Sequence, residues 1–439
     1  MTNNLSANKV HSALSETMLV DGMKIILDLQ KSKGAKIFDS VTQSEYIDFF
    51  SSYASVPIGF NHPEMKQSEQ ELGVVAKYKP SNSDVYTLEM AKFVQTFTRI
   101  AKPDFMKYLF FIDGGALAVE NGLKVAFDWK VKKNFAKGCQ AEKGLKILHF
   151  KDAFHGRSGY TLSLTNTDPN KIDYFPKFDW PRVTNPKVTF PVENNLDEIK
   201  KLEEQAVSEI YSALEKNKND IAAIIIEPVQ AEGGDIFFRK EFLQKLKKIT
   251  EENEMLLIFD EVQTGIGFTG KWWACQHYDV QPDIICFGKK SQVCGIMAGS
   301  KIDDIEDHCF RKSGRINSTW GGNLTDMVRV TKYLEIIEKH NLVNKAAETG
   351  NYLLEKLREF EKNFDGFVTQ ARGLGLLCAF DLPNAEIRNK FIAECFEHKL
   401  IILGCGKKSV RFRTVLDIEK TELDEGLKIV EKVLTLLNK

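Results

Sequence analysis

The sequence lacks an excess of charge of either sign. Its 439 residues include 60 lysines and arginines against 61 aspartates and glutamates, so the formal net charge is −1 at pH 7. Without a basic surplus, the chain has no general electrostatic attraction for nucleic acid or for an anionic membrane, and neither is expected as a partner. Hydrophobic residues (43%) and charged residues (28%) are in the balance typical of a soluble globular protein long enough for two domains.

Long apolar runs and paired cysteines are also missing. The longest apolar segments have the length of a strand, such as Ile221 to Ile226, so no membrane span is predicted. The residues from Met1 to Ser6 contain neither the basic nor the apolar stretch that directs secretion. The eight cysteines show no C-x-x-C spacing, which argues against a zinc site and a disulfide framework. We therefore expect a cytoplasmic protein without a bound metal.

Helical and strand patterns alternate through the middle of the chain. Apolar residues at helical spacing run from Gly115 to Lys130. Short apolar runs that fit strands buried on both faces lie at 145–150, 221–226, 255–259 and 284–287. This order predicts an α/β fold with a mostly parallel sheet.

The last hundred residues change character and predict a smaller α+β domain. The predicted elements are helices over 333–340 and 346–360, a single strand over 373–380, strands over 400–403 and 410–412, and a helix over 421–437 with Thr421 as its N-cap. The expected division of the chain is 1–65, an N-terminal segment of the small domain, 66–328, the large domain, and 329–439, the C-terminal small domain.

Two strand ends carry a carboxylate and a lysine. One buried strand ends at Asp260, and the next strand ends just before Lys289 and Lys290. A lysine amine can form a Schiff base with the aldehyde of pyridoxal 5'-phosphate (PLP). A carboxylate that faces the pyridine nitrogen keeps the ring protonated and able to accept electrons. The pattern therefore indicates a PLP enzyme and leaves open which lysine is the anchor.

Four further segments carry a family resemblance that covers nearly the whole chain. They are Phe111 to Asn121, Ala153 to Thr161, Phe287 to Gly295 and Asn317 to Asn323. In these segments the chain resembles the class III (omega) aminotransferases of PLP fold type I, and most strongly the L-lysine 6-transaminase group of that family. The resemblance implies a large PLP-binding domain with a seven-stranded, mostly parallel sheet, a smaller α+β domain, and Lys289 as the anchor.

The resemblance also implies the cofactor contacts. Gly115 and Ala116 begin a helix whose N-terminal N–H groups suit a phosphate. Many class III enzymes carry a hydroxyl residue there, and the lysine 6-transaminases share its absence. Phe154 and Val262 would cover the two faces of the ring, although core packing explains either residue as well. The remaining implied contacts are His155 and Glu227, for which structural roles fit equally well, and Asp260, Gln263, Lys289 and Thr319.

Thr319 bears on the oligomeric state. It resembles the residue that crosses a dimer interface to the phosphate bound by the partner subunit. The resemblance thus implies a homodimer with active sites at the subunit interface. The alternative is a loop threonine that caps its own turn.

Two arginines are expected to bind substrate carboxylates, because the planar guanidinium pairs with a carboxylate at two points. Arg157 resembles the residue that binds the carboxylate far from the reacting amine. Arg411 resembles the one that binds the α-carboxylate of glutamate or 2-oxoglutarate, with Arg413 as a rival on the same strand face. An unpaired Arg411 beside the aliphatic chain of lysine is unfavourable, so Glu232 could pair with it in one half-reaction and move away in the other.

The implied reaction is transfer of the ε-amino group of L-lysine to 2-oxoglutarate, which gives 2-aminoadipate 6-semialdehyde and L-glutamate. Gln263 and Asn317 complete the implied substrate contacts. Another omega-aminotransferase, acting on ornithine, 4-aminobutyrate or a diamine, would share the fold and the cofactor. A PLP mutase or racemase would need no keto acid. A binding protein without catalysis is hard to reconcile with Asp260, Lys289 and Arg411 together.

Overall fold

The structure is a computed structural model that describes residues 5–439. The strands are β1 (Lys36–Asp39), β2 (Ser44–Asp48), β3 (Met106–Ile112), β4 (Lys146–Phe150), β5 (Arg182–Val183), β6 (Ile221–Ile226), β7 (Val229–Gln230), β8 (Ile236–Phe237), β9 (Leu256–Asp260), β10 (Ile284–Phe287), β11 (Cys294–Gly299), β12 (Thr369–Leu374), β13 (Leu377–Asp381), β14 (Leu400–Ile401), β15 (Leu403–Cys405) and β16 (Ser409–Phe412). The helices are α1 (Val10–Ser15), α2 (Glu69–Val75), α3 (Leu88–Ile100), α4 (Gly115–Ala136), α5 (Gly159–Leu164), α6 (Val192–Lys216), α7 (Lys240–Glu252), α8 (Leu324–Lys339), α9 (Leu342–Asn363), α10 (Ala385–Glu397) and α11 (Lys420–Leu437).

The largest sheet has seven strands in the order β3-β11-β10-β9-β6-β4-β5. All neighbours from β10 to β5 are parallel, and β11 runs antiparallel to both β10 and β3. Every residue of β6, β9 and β10 is buried, which explains the continuous apolar runs of these strands. The seven-stranded, mostly parallel sheet and its α/β class are thus confirmed.

Two smaller sheets of three or four strands lie outside the large one, and β7 and β8 form a further two-stranded antiparallel pair. The order β12-β13-β16-β15 forms an antiparallel sheet from the C-terminal part of the chain. In the other sheet, β14 pairs in parallel with β2, so that Leu400 lies opposite Ile47. The N-terminal strands therefore pair with the C-terminal part of the chain, as the expected small domain requires. The domain boundaries after residues 65 and 328 stay a prediction.

Three local predictions for the C-terminal part were wrong. The strand expected over 400–403 is two short strands, β14 and β15, which belong to different sheets. The single strand expected over 373–380 is a hairpin, because the chain reverses at Gly375 with φ +57° and pairs Leu374 with Leu377. The turn was missed because apolar residues lie on both sides of it, in β12 and β13, and read as one continuous strand. Helix α11 is capped by Glu419, whose N–H donates to Glu422 Oε2 at 3.0 Å, and Thr421 lies inside the first turn.

Several features are absent from the part of the chain that the structure describes. No helix within residues 5–439 is long and apolar enough to cross a membrane. The same residues contain no cluster of histidine, cysteine and carboxylate side chains that could hold a metal ion. All eight cysteines are free, and all except Cys139 are buried. Burial raises the pKa of the Cys378 thiol, so this thiol behaves as a core side chain rather than a nucleophile.

Candidate active site

A cavity of about 930 Å³ opens where β6, β9 and β10 end at their carboxyl edge and α4 begins. This edge is where parallel α/β sheets bind ligands. Of the residues predicted for the site, those that line the cavity are Gly115, Ala116, Phe154, His155, Arg157, Glu227, Glu232, Asp260, Val262, Gln263, Lys289 and Arg411. Two predicted residues, Asn317 and Thr319, do not line it.

Asp260 is the last residue of β9 and is buried against the cavity. Its Oδ2 lies 2.8 Å from His155 Nδ1, and its Oδ1 accepts a hydrogen bond from the Val262 N–H at 3.1 Å. Within residues 5–439, neither a lysine nor an arginine forms an ion pair with Asp260. A buried carboxylate in this position is stabilised by a cationic ligand in the cavity.

Glu227 follows β6 and is a second buried carboxyl group at the same edge. Burial raises its pKa well above the ordinary value, and the nearby charge of Asp260 raises it further. Its Oε1 accepts a hydrogen bond from the Phe154 N–H at 2.9 Å. Glu227 therefore holds the backbone that presents Phe154 to the cavity, while Asp260 is the carboxylate available to a cation.

Lys289 and Lys290 have different environments in the structure. Lys289 lines the cavity, and its pKa is lowered to about 8 by burial and then by the charges of Arg411 and Arg413. The Lys290 Nζ points away from the cavity and donates to the Ala54 carbonyl at 3.0 Å. The buried amine at the cavity thus belongs to Lys289, as the family resemblance implies.

The N-terminus of the 22-residue helix α4 faces the cavity through Gly115 and Ala116. No acidic residue occupies its first turn, and Gly114 at the N-cap has φ +97°. A Cβ on Gly156 would lie 2.5 Å from the Cβ of Ala116, so this position must remain glycine for the two segments to pack. The first-turn N–H groups, which have no partner within the helix, are suited to bind an anion.

This arrangement matches the chemical groups of PLP one by one. The helix N-terminus suits the phosphate, the Lys289 amine suits the aldehyde, and Asp260 suits a protonated pyridine nitrogen. Phe154 and Val262 lie in the cavity wall, where either can contact the faces of a flat ring. The residues present therefore fit the cofactor that the resemblance implies.

Arg411 and Arg413 have different environments. Arg411 lies in β16 and lines the cavity, with Nη1 3.7 Å from Glu232 Oε2 and a buried Nε that has no hydrogen-bond partner. Arg413 is fully buried, and its Nη1 lies 3.0 Å from Asp235 Oδ2. Arg413 does not line the cavity, although its Nε donates to Oε1 of the cavity residue Gln263 at 3.3 Å.

Glu232 contacts a second cation, Lys171, which the sequence did not reveal. Lys171 Nζ forms an ion pair with Glu232 Oε1. Burial alone would raise the pKa of Glu232, but the ion pairs with Lys171 and Arg411 lower it below the ordinary value. Lys171 lies in a loop without a recognisable motif, and so does Tyr53, another cavity residue, so neither carries a sequence signal.

Arg157, Asn317 and Thr319 are exposed. Arg157 lies at the cavity and forms no ion pair within the described residues, so its guanidinium is available to a ligand. Asn317 and Thr319 lie in a separate loop, where the Thr319 carbonyl accepts a hydrogen bond from Ser81 Oγ at 2.5 Å. A single chain therefore does not bring these two residues to the other predicted site residues.

Comparison with known proteins gives relatives of nearly full length. The L-lysine-epsilon aminotransferase of Mycobacterium tuberculosis is 46% identical over 435 residues, which are 98% of this chain and 96% of that protein. The L-lysine-epsilon aminotransferase of Streptomyces clavuligerus is 44% identical and covers 98% and 95% of the two chains. A lysine aminotransferase from M. tuberculosis in the internal aldimine form superposes with a TM-score of 0.96 at 45% identity, over 99% of this chain and all of that one.

The family model described as aminotransferase class-III matches residues 17–434. This match spans the cavity, both smaller sheets and the whole seven-stranded sheet. With the relatives above, it establishes the fold type I architecture and the cofactor that the cavity fits. The chain therefore belongs to the class-III aminotransferases, which depend on pyridoxal 5'-phosphate.

Proposed function

We propose that the chain transfers the ε-amino group of L-lysine to 2-oxoglutarate and forms 2-aminoadipate 6-semialdehyde and L-glutamate. The observation that carries the proposal is the 3.7 Å contact between Arg411 Nη1 and Glu232 Oε2 in the same cavity as the unpaired Arg157. Arg411 is thus masked by Glu232, whereas Arg157 is free to bind a carboxylate. Relatives over 40% identical are named L-lysine-epsilon aminotransferase, which supports lysine as the amino donor here.

The masked arginine suits L-lysine as the first substrate. Lysine brings its ε-amine and an aliphatic chain to the reacting centre and keeps its only carboxylate at the far end. Arg157 would bind that carboxylate, while Glu232 keeps the buried charge of Arg411 paired. A donor that carried a carboxylate next to the reacting amine would have to displace Glu232.

Lys289 would move the proton in each half-reaction. Its Nζ takes a proton from the Cε of bound lysine, and its lowered pKa of about 8 makes the neutral amine accessible near neutral pH. When bound, PLP supplies the electron-accepting ring and the carbonyl carbon that carries the amino group between substrates. Asp260, held by His155 and by the Val262 N–H, would provide the carboxylate for the ring nitrogen.

The acceptor half-reaction needs Arg411 unmasked. The carboxylate beside the keto group of 2-oxoglutarate would pair with Arg411 at two points, and the Glu232 side chain would turn away. The second carboxylate of 2-oxoglutarate is closer to the reacting carbon than the carboxylate of lysine is, and the long side chain of Arg157 would reach inward to bind it. Arg157 thus serves both substrates, whereas Arg411 serves only the acceptor.

We propose a homodimer in which Asn317 and Thr319 act at the partner's cavity. Both residues are exposed and lie outside the cavity of their own chain, although the resemblance implies contacts with substrate and phosphate. The loop also exposes Trp320, whose ring stacks under Lys79 Nζ at 3.7 Å from its centroid. The eight free cysteines suit the reducing conditions of the cytoplasm, which we keep as the proposed location.

The proposal is tested with L-lysine labelled with ¹⁵N at the ε position. The PLP-loaded protein is incubated with this lysine and 2-oxoglutarate, and the glutamate formed is analysed for the label. We expect labelled glutamate and an aldehyde product that lacks the label. Labelled glutamate from α-labelled lysine, or none from either, would refute the proposed reaction. In Glu232→Ala, an unchanged preference for lysine over glutamate would refute the masking of Arg411.

A further inference from the structure

Glu232 lies between two cations that it does not contact equally. Its Oε1 is bonded to Lys171 Nζ, whereas Arg411 Nη1 is 3.7 Å from Oε2, beyond ordinary hydrogen-bond length. The buried Nε of Arg411 also has no partner. Lys171 is therefore the main partner of Glu232 in the structure, and Arg411 keeps donors that a carboxylate could use.

The backbone on both sides of this ion pair is fixed. Lys171 is the last residue of a short 3₁₀ turn, Pro169–Lys171. The side chain of Asp168 caps this turn by accepting a hydrogen bond from the Asn170 N–H at 3.0 Å. The Glu232 carbonyl accepts from the Gly406 N–H at 2.9 Å. Any exchange of partners must therefore come from rotation of the Glu232 and Lys171 side chains, which are 26% and 28% exposed.

The ion pair separates two cavities. A second cavity of about 330 Å³ lies on the other side and shares Lys171, Glu232 and Gly404 with the main one. The Glu232 carboxylate thus has space to turn away from Arg411 without leaving Lys171. A carboxylate that turned away without a partner would instead lose its hydrogen bonds in a half-buried place, which is unfavourable.

We propose that Lys171 determines acceptor binding by holding Glu232 when the carboxylate beside the keto group takes Arg411. The inference rests on the proposed exchange at Arg411. It adds Lys171 as the residue that lowers the free-energy cost of moving Glu232 away from Arg411. Removing the Lys171 charge leaves Arg411 as the remaining ion-pair partner of Glu232 within the described residues. Glu232 then competes more strongly with any incoming dicarboxylate, while L-lysine, which leaves Glu232 in place, is affected much less.

The test measures binding rather than turnover. Glutarate has the two carboxylates of 2-oxoglutarate but no keto or amino group, so it binds without reacting. Its dissociation constant is measured by calorimetry with the PLP-loaded protein for wild type, Lys171→Met, Lys171→Gln and Lys171→Arg. We expect Lys171→Met and Lys171→Gln to weaken glutarate binding about tenfold, and Lys171→Arg to retain most of it. Lys187→Met, an exposed lysine away from both cavities, is the charge-matched control.

A second background separates this inference from the masking of Arg411. In Glu232→Gln, Lys171→Met should have no further effect on glutarate, since the amide does not compete for Arg411 as a charge. An undiminished effect in that background, or equal weakening of glutarate and of L-lysine, would overturn the role of Lys171. If Glu232→Gln leaves the affinity for glutarate unchanged, Glu232 does not compete for Arg411. The role of Lys171 is then refuted as well. If Glu232→Gln changes the affinity for glutarate but Lys171→Met and Lys171→Gln do not, Glu232 competes for Arg411 without help from Lys171, and the role of Lys171 is refuted.

Discussion

Asp260 owes its place in the cavity to contacts with two other residues. His155 holds one carboxylate oxygen, and the Val262 N–H holds the other. The sequence predicted Asp260 and a lysine at 289 or 290 because the two apolar strands end at the same edge of a parallel sheet, and the choice of Lys289 came from the family resemblance. It could not predict that His155 touches Asp260, because they lie 105 positions apart and no local pattern links them.

The first prediction concerns this contact. His155→Leu leaves a buried oxygen of Asp260 without a donor, which costs about 1–3 kcal/mol. We expect the free energy of unfolding of the PLP-free protein to fall by that amount in urea denaturation. His155→Asn keeps an N–H near the position of Nδ1 and should lose much less. Equal losses in the two variants would show that packing, not the hydrogen bond, is what His155 provides.

The second prediction concerns pH. Lys289 must be neutral to take a proton, and lowering its pKa from 10.5 to about 8 raises the neutral fraction at pH 7.5 from about 0.1% to about a quarter. The rate of a single turnover with saturating L-lysine should therefore rise with pH and level off above pH 8. Deuterium at Cε of lysine should slow this rate, which shows that proton transfer is being followed. A rate that continues to rise up to pH 10 would contradict the lowered pKa.

At the level of elements, one short segment beside the cavity is strained. Ser51, Ser52, Tyr53 and Ala54 have positive φ angles of 39°, 52°, 57° and 63° and form a single left-handed turn. Each such residue costs roughly 1–2 kcal/mol. The turn is held by Lys290 Nζ, which donates to the Ala54 carbonyl, and by the Ser51 N–H, which donates to Asp48. Lys290 therefore helps to shape the site by holding this turn in place.

The third prediction tests this strain. Ser52 is exposed, and glycine adopts its φ of 52° without a Cβ clash. Ser52→Gly should raise the free energy of unfolding by about 1 kcal/mol. Ser52→Ala retains the Cβ and is the matched control, for which no gain is expected. A gain with alanine as large as with glycine would show that the turn is not strained.

The sequence revealed strands and helices better than turns. β6 and β10 have the predicted limits, because runs such as Ile221–Ile226 are apolar throughout and buried on both faces. The turn at Gly375 and the left-handed turn at Ser51–Ala54 were not predicted. Both depend on contacts with distant segments, such as that of Ala54 with Lys290, which a local pattern does not contain.

At the level of the whole molecule, we propose that a complete site requires two chains. The main cavity gathers twelve of the fourteen predicted site residues, and the two that it lacks, Asn317 and Thr319, lie together in one exposed loop. Class membership implies the family fold but does not show which chain supplies which residue. The sequence suggested this division only through resemblance, since a pattern within one chain holds no information on its partner.

The fourth prediction is complementation between inactive subunits. Lys289→Ala lacks the amine, and Thr319→Asp places a negative charge where the phosphate is expected, so each variant alone should be inactive. Mixed dimers, co-expressed with different tags, contain one site with both native residues. With random pairing we expect about a quarter of wild-type activity. Lys289→Ala mixed with Asp260→Ala, both in the same cavity, should restore none. An inactive mixture of Lys289→Ala with Thr319→Asp would contradict the assignment of Thr319 to the partner's site.

The most direct test of the account is donor choice in a single turnover without a keto acid. L-lysine, L-ornithine and 4-aminobutyrate are added separately to the PLP-loaded protein, and loss of the visible absorbance of the bound cofactor is followed. We predict rapid loss with L-lysine, reversal on addition of 2-oxoglutarate, and rates at least about tenfold lower with L-ornithine, which is one methylene shorter. Faster loss with L-ornithine or 4-aminobutyrate than with L-lysine would contradict the proposed substrate and leave only the class of enzyme.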